Sequence, residues 1–172
     1  MNDIKETLSH LLSNDDSRLY AILDGALIKN LRSKLSEFKQ KDEYVSLYRN
    51  TIYSNLNEIA PYLVHLDIDE PLFDWWLENG WNKYWGILCT SQSDLDSLAI
   101  HFRQFLTVTD YNKNKIMFRF YDPRVFNTFI KSCSDRNYLE FENNVDHYCL
   151  VDKNNEFVII PRRTFDIQEL SL

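Results

Sequence analysis

The sequence predicts an α/β fold: a mixed β-sheet flanked by helices, in one compact body with room for two lobes. Three observations carry this prediction. Short apolar runs of strand length alternate with stretches whose apolar residues recur at helical spacing. Two pairs of apolar runs enclose polar turn sequences, the pattern of β-hairpins. With 44% hydrophobic residues and only three glycines in 172 positions, the chain can bury a real core and shows no flexible linker.

Ile4, Leu8, Leu11 and Leu12 lie at helical spacing, so residues 1–17 read as an amphipathic helix that Asn14-Asp15-Asp16-Ser17 breaks. Leu19 to Leu23 is an apolar run of strand length, followed by the turn Asp24-Gly25-Ala26. A mixed helix is expected from about Ala26 to Lys41. A weak strand follows over Tyr44 to Tyr48, then a loop to Ile59 and a strand over Pro61 to Leu66. Asp69-Glu70-Pro71 starts a helix, with acids suited to the positive end of the helix dipole. Its inner face is Leu72, Phe73, Trp76 and Leu77, and Asn79-Gly80 is expected to end it with glycine in the left-handed region. Trp85 to Cys89 reads as a central strand. Ser91 and Ser93 then offer caps for a helix with the stripe Leu95, Leu98, Ala99 and Phe102.

Leu106 to Thr109 and Ile116 to Tyr121 flank Asp110-Tyr-Asn-Lys-Asn114, a predicted hairpin. The second of these strands should run straight into a helix, with Asp122 as N-cap and Pro123 at the first helical position. That helix should bury Val125, Phe126, Phe129 and Ile130. A short helix over Arg136 to Phe141 precedes a second hairpin, Val145 to Val151 and Glu156 to Ile160, and the tail from Arg162 is polar. The organisation is therefore an N-terminal helix and linker over 1–17, a main domain over 18–152, and a C-terminal strand and tail over 153–172.

A net charge of −7 speaks against a nucleic-acid partner, because phosphate binding needs a clustered positive field. The basic segment Lys29, Arg32, Lys34, Lys39 and Lys41 is interrupted by Glu37, Asp42 and Glu43 and reads as the solvated face of a helix. Cys89, Cys133 and Cys149 form neither a CxxC pair nor an even set, so no disulfide framework or zinc site is expected. No signal peptide and no apolar run of bilayer length is present, so a reducing cytoplasm is the expected location, without stable membrane association.

Few residues carry candidate chemistry. Asp24 follows the first strand, where some phosphoryl-transfer enzymes place a nucleophile. Gly25 and Ala26 supply no second acid, so a structural role as cap of the following turn is preferred. His147 and Cys149 share a strand face, but a packed strand explains them better than a reactive pair. No G-x-S-x-G elbow and no glycine-rich phosphate loop occurs. At the strand-to-helix junction, Arg119 and Tyr121 should share one face, with Arg119 paired to the cap Asp122, while Arg124 opens the helix. These three are candidates for partner binding. So are Trp75, Trp76, Trp81 and Trp85, because adjacent Trp75 and Trp76 do not fit one narrow buried stripe. No catalytic, metal or cofactor-binding residue is assigned and no cofactor is expected.

Met117-Phe118-Arg119-Phe120-Tyr121-Asp122-Pro123-Arg124-Val125-Phe126 resembles the core motif of a family first catalogued as a domain of unknown function and assigned to type VI secretion effector chaperones, or adaptors. The blocks Tyr20–Ala26, Ala60–Val64, Gly80–Ser91, His101–Leu106 and Val145–Tyr148 are similar to others of the family, in order, over residues 18–152. The resemblance implies a non-enzymatic protein that binds a type VI effector, often by its N-terminal region. Such a protein keeps the effector soluble and helps load it onto the VgrG spike. An immunity protein that inhibits a toxin, and a metal-dependent phosphohydrolase using Asp24, are the rival classes.

Overall fold

In the computed structural model, which describes residues 2–14 and 16–163, six strands form the main sheet in the order β2-β3-β1-β4-β7-β8. The strands are β1 (Arg18–Leu23), β2 (Tyr44–Ser46), β3 (Tyr62–Leu66), β4 (Gly86–Ser91), β7 (His147–Val151) and β8 (Phe157–Pro161). A separate ribbon pairs β5 (Thr107–Thr109) with β6 (Lys115–Met117). The helices are α1 (Asn2–Asn14), α2 (Leu31–Phe38), α3 (Pro71–Gly80), α4 (Leu95–Arg103), α5 (Pro123–Ser132) and α6 (Asp135–Glu142). The α/β class read from the sequence holds. The pairings refine the mixed sheet: each of those between named strands is antiparallel.

β1 and β4 lie at the centre, and this explains their unbroken apolar character. Leu19 to Leu23 and Gly86 to Ser91 are all buried, so both faces of the sheet are covered. Register shows what covers each face. Tyr20, Cys89 and Tyr148 stand opposite one another across three strands, and the Tyr148 ring packs on Phe126 of α5 and Phe141 of α6. Ile159 faces the other way, paired with Cys149, and lies beside Leu11 of α1. Phe157 on that same side stacks on Trp81, just after α3.

Several local expectations are corrected. The helix expected over 26–41 shortens to α2, because Asp24 holds a tight turn: its carbonyl accepts the N–H groups of Leu27 and Ile28. Gly80 is the last residue of α3 rather than a left-handed cap. It is glycine because a Cβ there would press on the Trp85 ring, and the positive φ falls instead on Tyr84 (55°). Asp94, not Ser91 or Ser93, caps α4, accepting the Ser97 N–H at 2.8 Å. Ser91 is buried and donates its hydroxyl to the Asn144 carbonyl.

β6 also ends at Met117 instead of running into α5. Residues 118–122 form a turn closed by the Asp122 N–H on the Arg119 carbonyl at 2.9 Å. β8 joins the main sheet, and the polar tail expected beyond it lies, from residue 164 onward, outside the described residues. No helix among the described residues is long and apolar enough to cross a membrane.

Candidate functional site

The turn before α5 is built on two ion pairs that exchange the partners the sequence suggested. Arg119 does not meet Asp122. It reaches 95 positions back in the chain to Asp24, at the end of β1, and donates to Oδ2. Asp24 is fully buried, and its Oδ1 accepts the Ala26 N–H at 2.9 Å, the turn-capping role expected of it. Both carboxylate oxygens are thus engaged, Oδ1 with the turn and Oδ2 with Arg119. Burial works to lower the Arg119 basicity, but the hydrogen bond to Asp24 and the negative charge of Asp24 together outweigh it and raise the guanidinium above its ordinary value. Its Nε is buried without a hydrogen-bond partner among the described residues.

Asp122 is the N-cap of α5, and its actual ion partner is Arg124. Oδ1 accepts the Arg124 backbone N–H and Nε–H, both at 2.9 Å, while Oδ2 accepts Nη2–H at 2.6 Å. The cap and the ion pair therefore share one carboxylate. Burial pushes the Asp122 carboxyl up, but its hydrogen bonds from Arg124 prevail and hold it below the usual carboxylate range. The Arg124 side chain remains 57% exposed, and its guanidinium lies 4.6 Å from the centroid of the Tyr84 ring.

Tyr121 and Arg119 do gather at one place, as the alternation predicted, although the backbone there is a turn. The Tyr121 hydroxyl sits 3.3 Å from that of Tyr48, which in turn donates to Met117 Sδ at 3.2 Å. Burial drives the Tyr121 phenol far above its ordinary value, and the neighbouring Tyr48 hydroxyl adds to the rise. Tyr121 is a neutral core residue here. The pairing of Phe118 with Phe120, at 6.0 Å, also follows the predicted alternation.

The four tryptophans come together at the end of α3. Trp76 is 2% exposed, while Trp75 lies half-buried against Phe38 and Trp85, so one of the adjacent pair does lie nearer the surface. Trp81 packs on Trp76 and Phe157. Lys34 and Lys83 cover the outer rings of Trp75 and Trp85. The cluster is mostly a rim of the core rather than an open aromatic patch.

His147 and Cys149 are not a reactive pair. His147 Nδ1 bonds Thr90 Oγ1 at 3.1 Å, and burial pushes the Cys149 thiol up to about 12, so it stays protonated. Among the described residues no three His, Cys, Asp or Glu side chains gather at a distance suited to a metal.

A groove of about 470 Å³ lies beside the Asp122 cap. α5 forms one wall with Pro123, Arg124 and Lys131. Tyr84, Val151 and Lys153 form the other. The sequence did not reveal this site, since its second wall comes from the turn between β7 and β8 and from a loop before β4. The spacing of Pro123, Arg124, Asn127, Thr128, Lys131 and Ser132 along one helical face was the only readable signal.

Of the residues predicted to bind a partner, Arg124 alone lines this groove, whereas Tyr121 and Trp76 are buried. No curated protein and no solved structure matches the chain. A family model does match, over residues 19–139: it opens one residue after Arg18 and stops before the Val145–Tyr148 block. That span covers most of the chain and contains both ion pairs, and on this ground the chain belongs to the family described as Domain of unknown function (DUF4123).

Proposed function

We propose that this protein is a chaperone, or adaptor, for a type VI secretion effector: it binds one effector, keeps it soluble and helps pass it to the VgrG spike. The observation that carries this reading is the family membership over residues 19–139, a span that includes the junction motif whose resemblance suggests the role. The geometry is consistent with a binder. The buried carboxylates Asp24 and Asp122 are spent on holding the α5 turn, and the groove beside it is open. In this reading the protein acts without catalysis or cofactor, in the cytoplasm, before secretion. Exposed apolar segments of an effector are costly in water, and a partner surface that covers them removes that cost until loading.

The decisive experiment is co-expression with the products of the neighbouring genes, an effector being expected among them. A stable complex is expected, together with rescue of an effector that is insoluble or short-lived alone. An effector that folds, persists and is secreted normally without this chain would overturn the assignment. Neutralisation of a toxin in its finished, active form would instead support the immunity reading.

A further inference from the structure

We infer that the groove between α5 and the β7–β8 turn is a docking site for an acidic polypeptide segment, which under the adaptor reading is part of the effector. The inference rests on charge. The chain carries −7 overall, yet this groove is lined by Arg124, Lys131 and Lys153 against Asp152, and with Arg124 compensated by Asp122 the two lysines are left as its excess positive charge.

These cations differ in how they are held. Arg124 is tied to Asp122 and laid over Tyr84, so its guanidinium is pre-positioned at the groove wall. Lys131 and Lys153 are exposed, and among the described residues neither has a carboxylate partner within ion-pair distance. Asp152 does not neutralise them at close range. Its Oδ1 accepts the N–H groups of Asn154 and Glu156 at 2.8 and 3.0 Å, which turns it into the β7–β8 turn.

Besides the charged groups, the lining includes Pro123, Val151 and the Tyr84 ring along with the neutral polar Asn127, Thr128 and Ser132. Tyr84 is held at φ 55°, a conformation a bulky residue adopts at a cost, and that conformation brings its ring under Arg124. An occupant that matches this surface carries carboxylates for the two lysines and apolar side chains for Pro123, Val151 and Tyr84. A nucleic acid fits poorly, since the remaining surface of an acidic chain repels a long polyanion.

The test uses the full chain and a labelled synthetic peptide of alternating Glu and Leu, with its Gln and Leu counterpart as control. The acidic peptide should bind and the neutral one should not. The double variant Lys131→Glu and Lys153→Glu, both at exposed positions, should keep its melting temperature and lose about tenfold in affinity for the acidic peptide. Equal binding of both peptides, or an unchanged affinity in the double variant, overturns the site. So does displacement of the acidic peptide by single-stranded oligonucleotide at equal charge concentration, which assigns the groove to nucleic acid. Co-purification of the effector separates the two readings. If wild type and double variant capture it equally, the groove is wrong and the adaptor stands. If neither captures it while the peptide results hold, the adaptor reading fails and the groove stands.

Discussion

Asp24 ties the junction to the end of β1, far away in sequence. It is fully buried, caps its own turn and carries the charge that Arg119 requires. Breaking a buried ion pair by deleting one member costs about 3–5 kcal/mol, because the other charge is left without compensation. Arg119 retains 36% of its side-chain exposure and can draw on water, so the lower end applies. Asp24→Ala is expected to lose about 3 kcal/mol in urea unfolding. An unchanged midpoint would show that water already satisfies Arg119. His101 sets a pH dependence. Its ring is buried against Phe102 and Phe105, and burial holds its pKa below the usual value although a bond to the Phe141 carbonyl opposes this. The unfolded chain therefore binds the proton first. Stability is complete above the unfolded value of about 6.5 and declines as pH falls from there through the folded value. His65, also lowered by burial, adds to the same window. Thermal unfolding followed between about pH 8 and pH 5 should show a falling melting temperature, and His101→Gln should flatten part of the fall. A profile identical in the variant would remove His101 from the account.

The α5 turn and the β1–β4 pairing are the two elements that single substitutions test most sharply. Asp122→Ala removes the cap, worth about 1 kcal/mol, and frees Arg124 from its pre-positioned orientation. Because Asp122 is held below the ordinary carboxylate range by Arg124, its contribution is present above about pH 4 and is lost as pH falls through the folded value. Glu43, Asp94 and Asp110 are lowered by hydrogen bonds of their own, so Asp122→Ala should reduce the loss of stability below about pH 4 without abolishing it. Gly86→Ala is expected to be worse than either cap mutation, because the added Cβ would collide with the Ile22 carbonyl on the neighbouring central strand. Backbone on backbone has no flexible end to move aside. The expected outcome is loss of cooperative unfolding or of soluble expression, and a variant with a wild-type melting curve would mean that β4 can shift away from β1.

For the molecule as a whole, the prediction concerns delivery. Deleting the gene should stop secretion of one effector while the secretion machine continues to fire. Normal export of that effector would end the adaptor proposal, and death of the deletion strain by its own toxin would favour an immunity protein. The charge layout adds a second measurable trait. An apolar contact should tolerate moderate salt, whereas a contribution from Lys131 and Lys153 should weaken as screening grows. A complex measured from low to high ionic strength should therefore lose affinity only in part.

The strands and helices were legible because their evidence is local. The apolar run Leu19 to Leu23, the helix start at Asp69-Glu70-Pro71 and the cap Asp122-Pro123 each state their structure within a few residues, and each lies where the pattern placed it. The family model likewise matches residues 19–139, inside the span of 18–152 over which the sequence blocks suggested a family, and it leaves out the Val145–Tyr148 block. The pairings were not. Nothing near Asp24 points to Arg119, and nothing near Arg119 chooses Asp24 over the closer Asp122. Alternation predicted the common site of Arg119 and Tyr121, yet gave no warning that β6 ends before them. The groove is the extreme case. Its walls come from 84, 123–132 and 151–153, brought together only when β7 pairs with β4 and α5 packs on Tyr148. Secondary structure follows from periodicity and capping along the chain, while a binding surface is set by which distant elements the sheet makes neighbours.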